Sequence, residues 1–138
     1  MKKPAELKPV VFLGSSRGDL QAFPKAATYS VGKALYEAQL GRHPKDAKPL
    51  KGFGGAGVLE VVEQSRGNAY RAVYTVRFAT VIYVLHVFQK KSASGRKTQL
   101  YEVERIKARL KEASVDYAER VSQNEAGRQE GGDGVAES

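Results

Sequence analysis

A nine-residue segment in the middle of the chain, Thr80 to Phe88 (TVIYVLHVF), restricts the possible folds most strongly. It is apolar at nearly every position, so both faces of a strand built from it would be apolar. A strand of this kind belongs in the covered interior of a sheet. We therefore predict a central strand here and a sheet whose middle is buried.

Two further strands are predicted just before it. Val58 to Gln64 (VLEVVEQ) is rich in β-branched residues, and Tyr70 to Phe78 alternates in the period of a strand. Ser65 to Ala69 is predicted to form a turn, and Ala79 and Thr80 are predicted to form a tight connection. Because both connections are short, we predict an antiparallel meander of three strands. In the strand that starts at Tyr70, the alternation predicts a core face and an opposite face made of Arg71, Val73, Thr75 and Arg77.

Helical patterns lie on either side of the meander. The amino-terminal part predicts a strand within Lys8 to Ser15, a short turn of helix, and a helix from Pro24 to Leu40 that Gly41 ends. After a basic loop at 89–97, Thr98 is predicted to cap a helix that runs to about Ala113. This order of elements indicates an α+β fold with an N-terminal strand and helices and a C-terminal helix.

The segment between the first long helix and the meander, residues 41–57, mixes prolines, glycines and lysines and is predicted to be a loop. Its glycines invite comparison with a phosphate-binding loop. The pattern GxxxxGK[ST] is absent, however, and no βαβ unit surrounds the glycines, so a nucleotide site is not indicated.

Charge divides the chain into two parts. Residues 1–113 carry 21 basic and 9 acidic side chains, whereas residues 114–138 carry 2 basic and 6 acidic ones. We expect a folded domain over 1–113 and a disordered acidic tail over 114–138, because the tail offers little apolar surface to offset the entropy of ordering. The tail is either a solvated extension or a segment that folds back on the basic domain and weakens nonspecific RNA binding.

The basic surplus of the first 113 residues attracts polyanions, with nucleic acid as the leading candidate and a merely solubilising surface as the alternative. The chain has no cysteine, which excludes disulfides and thiolate chemistry and fits a reducing cytoplasm. The first ten residues lack the apolar run of a signal peptide, and no segment reaches the roughly 20 apolar residues of a membrane span. A soluble cytoplasmic protein is expected.

Most conventional catalytic sites are not indicated. His43 and His86 are isolated, one in a loop and one inside a strand, and neither has a metal-ligand spacing, so His86 is interpreted as a packed strand residue. Glu60 and Glu63 fall on opposite strand faces, which argues against a glycosidase pair. What remains is a group of cations and phenols that suits a phosphodiester, for binding or for catalysis: Lys51, Arg71, Arg77, Lys90, Lys91 and Tyr101.

These residues lie within a stretch that resembles a known family. YRAVYTVRFATVIYVLHVFQKKS, followed by a basic loop and a terminal helix, is similar to the RelE/ParE superfamily of toxins from bacterial toxin–antitoxin modules. Three further segments resemble the phage-associated HigB-like branch of this superfamily: KPLKGFGGAGVLEVVE, FPKAA and GKALYEAQLG. The resemblance covers about residues 8–113 and is carried by the YRxVY and FxKKS strings together with the pattern of elements.

The resemblance implies a RelE-like small domain that cleaves messenger RNA on the ribosome without metal or cofactor, through attack of the 2′-OH on the adjacent phosphate. It assigns Arg71 of the YRxVY string to the phosphate, with Lys90 or Lys91 and Tyr101 as the other catalytic candidates. Val62 and Gln64 stand where RelE has two lysines, so the base is open, with Lys51 or Arg66 as substitutes. The expected RNA-binding residues are Lys51, Arg66, Arg77, Arg96 and Lys97.

The same resemblance implies a cognate antitoxin, with a helix-turn-helix domain, that covers the basic surface. It also leaves two other functions open, because one scaffold serves several activities. The first is a ParE-like inhibitor of DNA gyrase without nuclease activity. The second is an inactive relative that binds nucleic acid.

Overall fold

A computed structural model describes residues 6–54, 57–90 and 99–137, with the side chains of the last segment described up to residue 127. Five strands and three helices follow the chain in the order β1, α1, α2, β2, β3, β4, β5 and α3. Their bounds are β1 Val10–Phe12, α1 Ser16–Gln21, α2 Lys25–Gln39, β2 Ala47–Pro49, β3 Val58–Ser65, β4 Asn68–Thr75, β5 Ile82–Lys90 and α3 Leu100–Glu137. The fold is α+β, as predicted.

The five strands form one sheet in the order β1-β5-β4-β3-β2. β1 is parallel to β5, and all other neighbours are antiparallel. The predicted three-strand meander is therefore incomplete, because β2 extends the antiparallel run to four strands. β2 lies in the segment predicted to be a loop, and at three residues, one of them a proline, it is too short to show alternation and is confined to an edge.

Both faces of the sheet are covered. On one face, the α2 side chains Val31 and Leu35 pack against Tyr74 and Val84. On the other face, Ile106 of α3 packs in a second cluster with Val73, Tyr83 and Leu85. β5 is buried on both sides, as the sequence predicts, because each face meets a helix layer.

β4 differs from its prediction. We expected one core face and one polar face, yet Val73 and Thr75 on the expected polar face are completely buried. The strand also ends at Thr75, so the exposed Arg77 lies beyond it. The face is covered because α3 and Phe53 pack on that side, which strand alternation alone does not show.

A β-bulge changes the direction of the side chains in the second half of β5. Val84 pairs with Tyr74, whereas the next β4 residue, Val73, pairs with His86, so Leu85 is an extra residue in the ladder. One extra residue reverses the alternation. His86 therefore lies on the α3 side of the sheet, where simple alternation from Val84 would place it on the α2 side.

Helix α3 is longer than the predicted helix, which ended near Ala113, and it continues to Glu137 through the segment whose composition predicts disorder. Its start at Leu100 lies just after Thr98, the predicted cap, which falls outside the described residues. The Tyr83 hydroxyl donates a hydrogen bond to Asp116 Oδ2 at 2.6 Å, and Arg120 Nε donates to the same oxygen at 2.6 Å. These bonds hold the pKa of Asp116 below its usual range and attach the helix beyond Ala113 to the sheet. No described helix has the length and apolarity to cross a membrane.

Gly14 occupies a position that glycine alone suits. Its φ is +55°, and a Cβ there would overlap the Arg109 guanidinium, which donates a hydrogen bond to the Leu13 carbonyl at 3.0 Å. We expect Gly14→Ala to lower the free energy of unfolding by about 2 kcal/mol, from left-handed strain and displacement of this bond. Urea denaturation measures this loss in the free energy of unfolding. Gly18→Ala in α1, where a Cβ meets nothing within 4 Å, is the control and should be neutral or stabilising; equal losses in the two variants would contradict the explanation.

Candidate functional site

The α3 side of the sheet places polar side chains of β3, β4 and β5 beside one another. The strand register forms three consecutive rows on this face. Directly paired residues on one face have Cβ atoms about 5 Å apart, so these rows define a continuous surface, here called the catalytic-candidate face. The rows are Glu60–Val73–His86, Val62–Arg71–Phe88 and Gln64–Ala69–Lys90.

Arg71 lies in the centre of this face. Its Nη1 is 3.1 Å from Glu60 Oε1, and only 7% of the side chain is exposed. Its Nε is buried and has no hydrogen-bond partner among the described residues. The guanidinium is thus held by one ion pair and retains an unsatisfied donor, which in a buried place costs about 1–3 kcal/mol. This arrangement differs from the exposed polar strand face that the sequence predicts for Arg71 and Arg77.

His86 forms the second buried pair of the face. Its Nε2 is 2.7 Å from Glu102 Oε2, and both residues are more than nine-tenths buried. A carboxylate only accepts hydrogen bonds, so Nε2 carries the proton and Nδ1 is left with a lone pair. The Phe88 ring stacks on the imidazole at a centroid distance of 4.7 Å and holds it in place.

The charge state of His86 follows from its surroundings. Burial lowers the pKa of His86 below its ordinary value of 6.5, and the nearby Arg105 and Arg109 act in the same direction, whereas the bond to Glu102 opposes them. The net direction is downward, so the imidazole is neutral at neutral pH. A neutral ring with one free lone pair is suited to accept a proton.

The lowered pKa predicts a pH dependence of stability. Because the folded pKa of His86 lies below the unfolded value of 6.5, the unfolded chain binds the proton more readily, and stability falls as the pH drops from 6.5 through the folded pKa. Urea denaturation between pH 7.5 and about 5 should show this loss, and His86→Gln should remove it. The exposed His43 provides the control variant, His43→Gln. A wild-type curve that is flat over this range would contradict the assignment.

The other predicted residues divide between the two ends of the strands. Lys90 ends β5 and is half-buried, and Arg66 lies at φ 52° in the β3–β4 turn at the same end. Lys51 and Arg77 are exposed and lie at the opposite end of the strands, remote from the row Gln64–Ala69–Lys90. Gly57 lies between them in the sequence. Tyr101 is 69% exposed in the first turn of α3, next to Glu102. Three predicted residues, Lys91, Arg96 and Lys97, lie outside the described residues.

Sequence reasoning missed the role of two residues of this face and of one helix residue that contacts it. Glu60 was considered only as part of a carboxylate pair and His86 as a packed strand residue, and Glu102 was not considered as a site residue. The spacing of 16 residues between His86 and Glu102 carries no local signal, and their contact depends on the bulge in β5 and on the packing of α3. Within the described ranges, no group of three or more His, Asp or Glu side chains is arranged to hold a metal ion.

Similarity to known proteins identifies the family of this chain. A solved structure, the toxin–antitoxin complex RelBE2 from Mycobacterium tuberculosis, contains a chain that is 25% identical, with a TM-score of 0.40, over 66% of this chain and 100% of that one. No curated protein matches significantly. The family model described as "Phage derived protein Gp49-like (DUF891)" matches residues 18–111, which include α2, the whole antiparallel run and the start of α3. The chain therefore belongs to the phage-derived Gp49-like family.

Proposed function

We propose that this protein is the toxin of a type II toxin–antitoxin module and that it cleaves RNA without metal or cofactor. The sequence resemblance to RelE/ParE toxins and the basic surplus of residues 1–113 support this proposal. The observation that carries it is the placement of Arg71, His86 and Lys90 on one face of the sheet, where a cation with an open donor lies beside a neutral imidazole. That combination suits transfer of a phosphoryl group from one oxygen to another.

The reaction uses the RNA's own 2′-hydroxyl. As its oxygen attacks the adjacent phosphorus, the proton passes to Nδ1 of His86, and Glu102 stabilises the imidazolium that forms. The P–O2′ bond forms and the P–O5′ bond breaks, leaving a 2′,3′-cyclic phosphate and a 5′-hydroxyl end. The leaving O5′ takes a proton from Lys90, which lies in the last row of the face, or from Tyr101, which is exposed in the first turn of α3.

Arg71 stabilises the negative charge that develops on the phosphate. Its unsatisfied Nε donates to a phosphate oxygen, while Glu60 keeps the guanidinium in place. Because the side chain is 7% exposed, RNA binding includes a local opening around Arg71. In the resting protein, the ion pair with Glu60 compensates the buried charge of the guanidinium, because an unpaired buried charge would be strongly destabilising.

The cellular setting belongs to the same proposal. The substrate is messenger RNA on the ribosome, and the partner is an antitoxin with a helix-turn-helix domain. An acidic antitoxin segment would compete with RNA for the basic surface of residues 1–113.

Inducible expression in a bacterium tests the function. Cultures expressing the protein, with and without Arg71→Lys, are compared for growth and for the amount of soluble protein, and messenger RNA 5′ ends are mapped in the same samples. We expect growth arrest with new 5′-hydroxyl ends inside coding regions, both absent in the variant. Arrest with intact messages and altered plasmid supercoiling would instead indicate a gyrase inhibitor, and the absence of arrest would indicate an inactive relative.

A further inference from the structure

A cavity of about 360 Å³ lies between α1 and the end of β5, beside the catalytic-candidate face. Its lining includes Asp19, Phe23, His86, Phe88 and Gln89. β1 pairs with β5 only up to Val84, and α1 packs against β5, so the cavity opens at an edge where no strand is added. A volume of this size fits the range of small-molecule sites.

Two aromatic rings in the lining are held in place before any ligand arrives. Phe23 contacts Tyr70 edge-on at a centroid distance of 4.9 Å, and Phe88 stacks on His86 at 4.7 Å. Single-stranded RNA is recognised largely by stacking of unpaired bases on aromatic side chains. Rings that are already ordered bind a base at low entropic cost.

The polar groups in the lining favour one kind of base. The Asp19 carboxylate accepts a hydrogen bond from Ser15 Oγ at 2.8 Å through Oδ2, which leaves most of its acceptor capacity available. Guanine carries two neighbouring N–H donors, N1–H and the 2-amino group, and a carboxylate accepts such a pair with both oxygens. The Gln89 amide, which also lines the cavity, both donates and accepts and suits the remaining edge of the base.

We propose that this cavity is a guanine-binding subsite that selects where the RNA is cut, an inference that rests on the proposed function. Phe88 is the direct cross-strand partner of Arg71, so a base seated against Phe88 lies one strand from the guanidinium that binds the phosphate. His86, which is bonded to Glu102 and which we assign as the proton acceptor, also lines the cavity. The site thus reads a base within about one nucleotide of the phosphate being attacked.

Inosine, which lacks only the 2-amino group of guanosine, provides the test. Fluorescence anisotropy is measured for the full chain with uridine pentamers that contain a single central guanosine or inosine and carry 2′-O-methyl groups, which prevent cleavage. We expect the wild-type protein to bind the guanosine pentamer about tenfold more tightly. Asp19→Asn should bring the two affinities close together, whereas Asp46→Asn, at an exposed position outside the cavity, should keep the tenfold ratio.

Equal wild-type affinities for the two pentamers, or an unchanged ratio in Asp19→Asn, would overturn the subsite. Binding of neither pentamer at low salt would overturn it too. The proposed function is judged separately by the growth and 5′-end measurements, which do not depend on the base. Arrest with 5′-hydroxyl ends and no guanosine preference would therefore retain the nuclease and reject the subsite.

Discussion

Arg71→Lys is expected to lower the rate of RNA cleavage by about a hundredfold or more at saturating RNA. Lysine keeps the charge but removes the planar fork, and with it the Nε donor that we assign to the phosphate. Loss of one donor aimed at developing charge typically costs a factor of about 10² to 10³ in kcat. Initial rates on a labelled single-stranded RNA measure the effect, or on programmed ribosomes if free RNA is not cut.

The design must separate catalysis from folding, because Arg71 and Glu60 form a mostly buried pair. Removing one partner of such a pair costs about 3–5 kcal/mol of stability, which is why lysine is chosen over alanine for the kinetic assay. Thermal denaturation establishes the folded fraction. Arg42→Lys, an exposed arginine outside the site, is the matched control and should cleave at the wild-type rate. A folded Arg71→Lys protein with full activity would restrict Arg71 to a structural role.

His86→Gln is expected to lower the rate of the chemical step by a factor of about 10² to 10⁴, the usual contribution of a positioned proton acceptor. The glutamine amide still donates a hydrogen bond to Glu102, so the packing between β5 and α3 is disturbed little. Single-turnover rates measure the chemical step without product release.

The pH dependence of that step gives a readout that a structural role would not change. In the wild type, the rate should fall as the pH drops below 6.5, because protonation of His86 removes the lone pair that accepts the 2′-OH proton. The variant should show a low rate without this acid limb, and His43→Gln should retain it. An acid limb that persists unchanged in His86→Gln would assign the proton acceptor to another group.

Most of the secondary structure could be predicted because its signals are local. The apolar run in β5, the alternation in β4 and the β-branched residues of β3 reflect side-chain sterics within a few residues. The helix from Lys25 to Gln39 was predicted in the same way, from its apolar spacing and from Pro24 and Gly41 at its ends. β2 escaped detection because three edge residues carry no period.

The extent of α3 shows the opposite case. Its composition beyond Ala113 argues against order, yet Asp116 binds Tyr83 of β5, Arg120 binds Asp116, and Tyr117 packs against Phe78 in the β4–β5 connection. The Tyr83 hydroxyl that binds Asp116 lies 33 residues away in the chain. From Ala113 to about Arg120, tertiary contacts therefore support the helix, and composition does not reveal them.

By itself, the sequence determined the α+β class, the three central strands and the basic surplus of residues 1–113, and the YRxVY string made Arg71 a candidate site residue. Only the tertiary structure decided what faces Arg71. A single extra residue, Leu85, reverses the alternation of β5 and turns His86 toward Glu102 on α3, while packing of α3 closes the face that the strand pattern left polar. Local patterns encode which segments become strands, but the meeting of distant charges depends on register and helix packing, because both are set by contacts far apart in the chain.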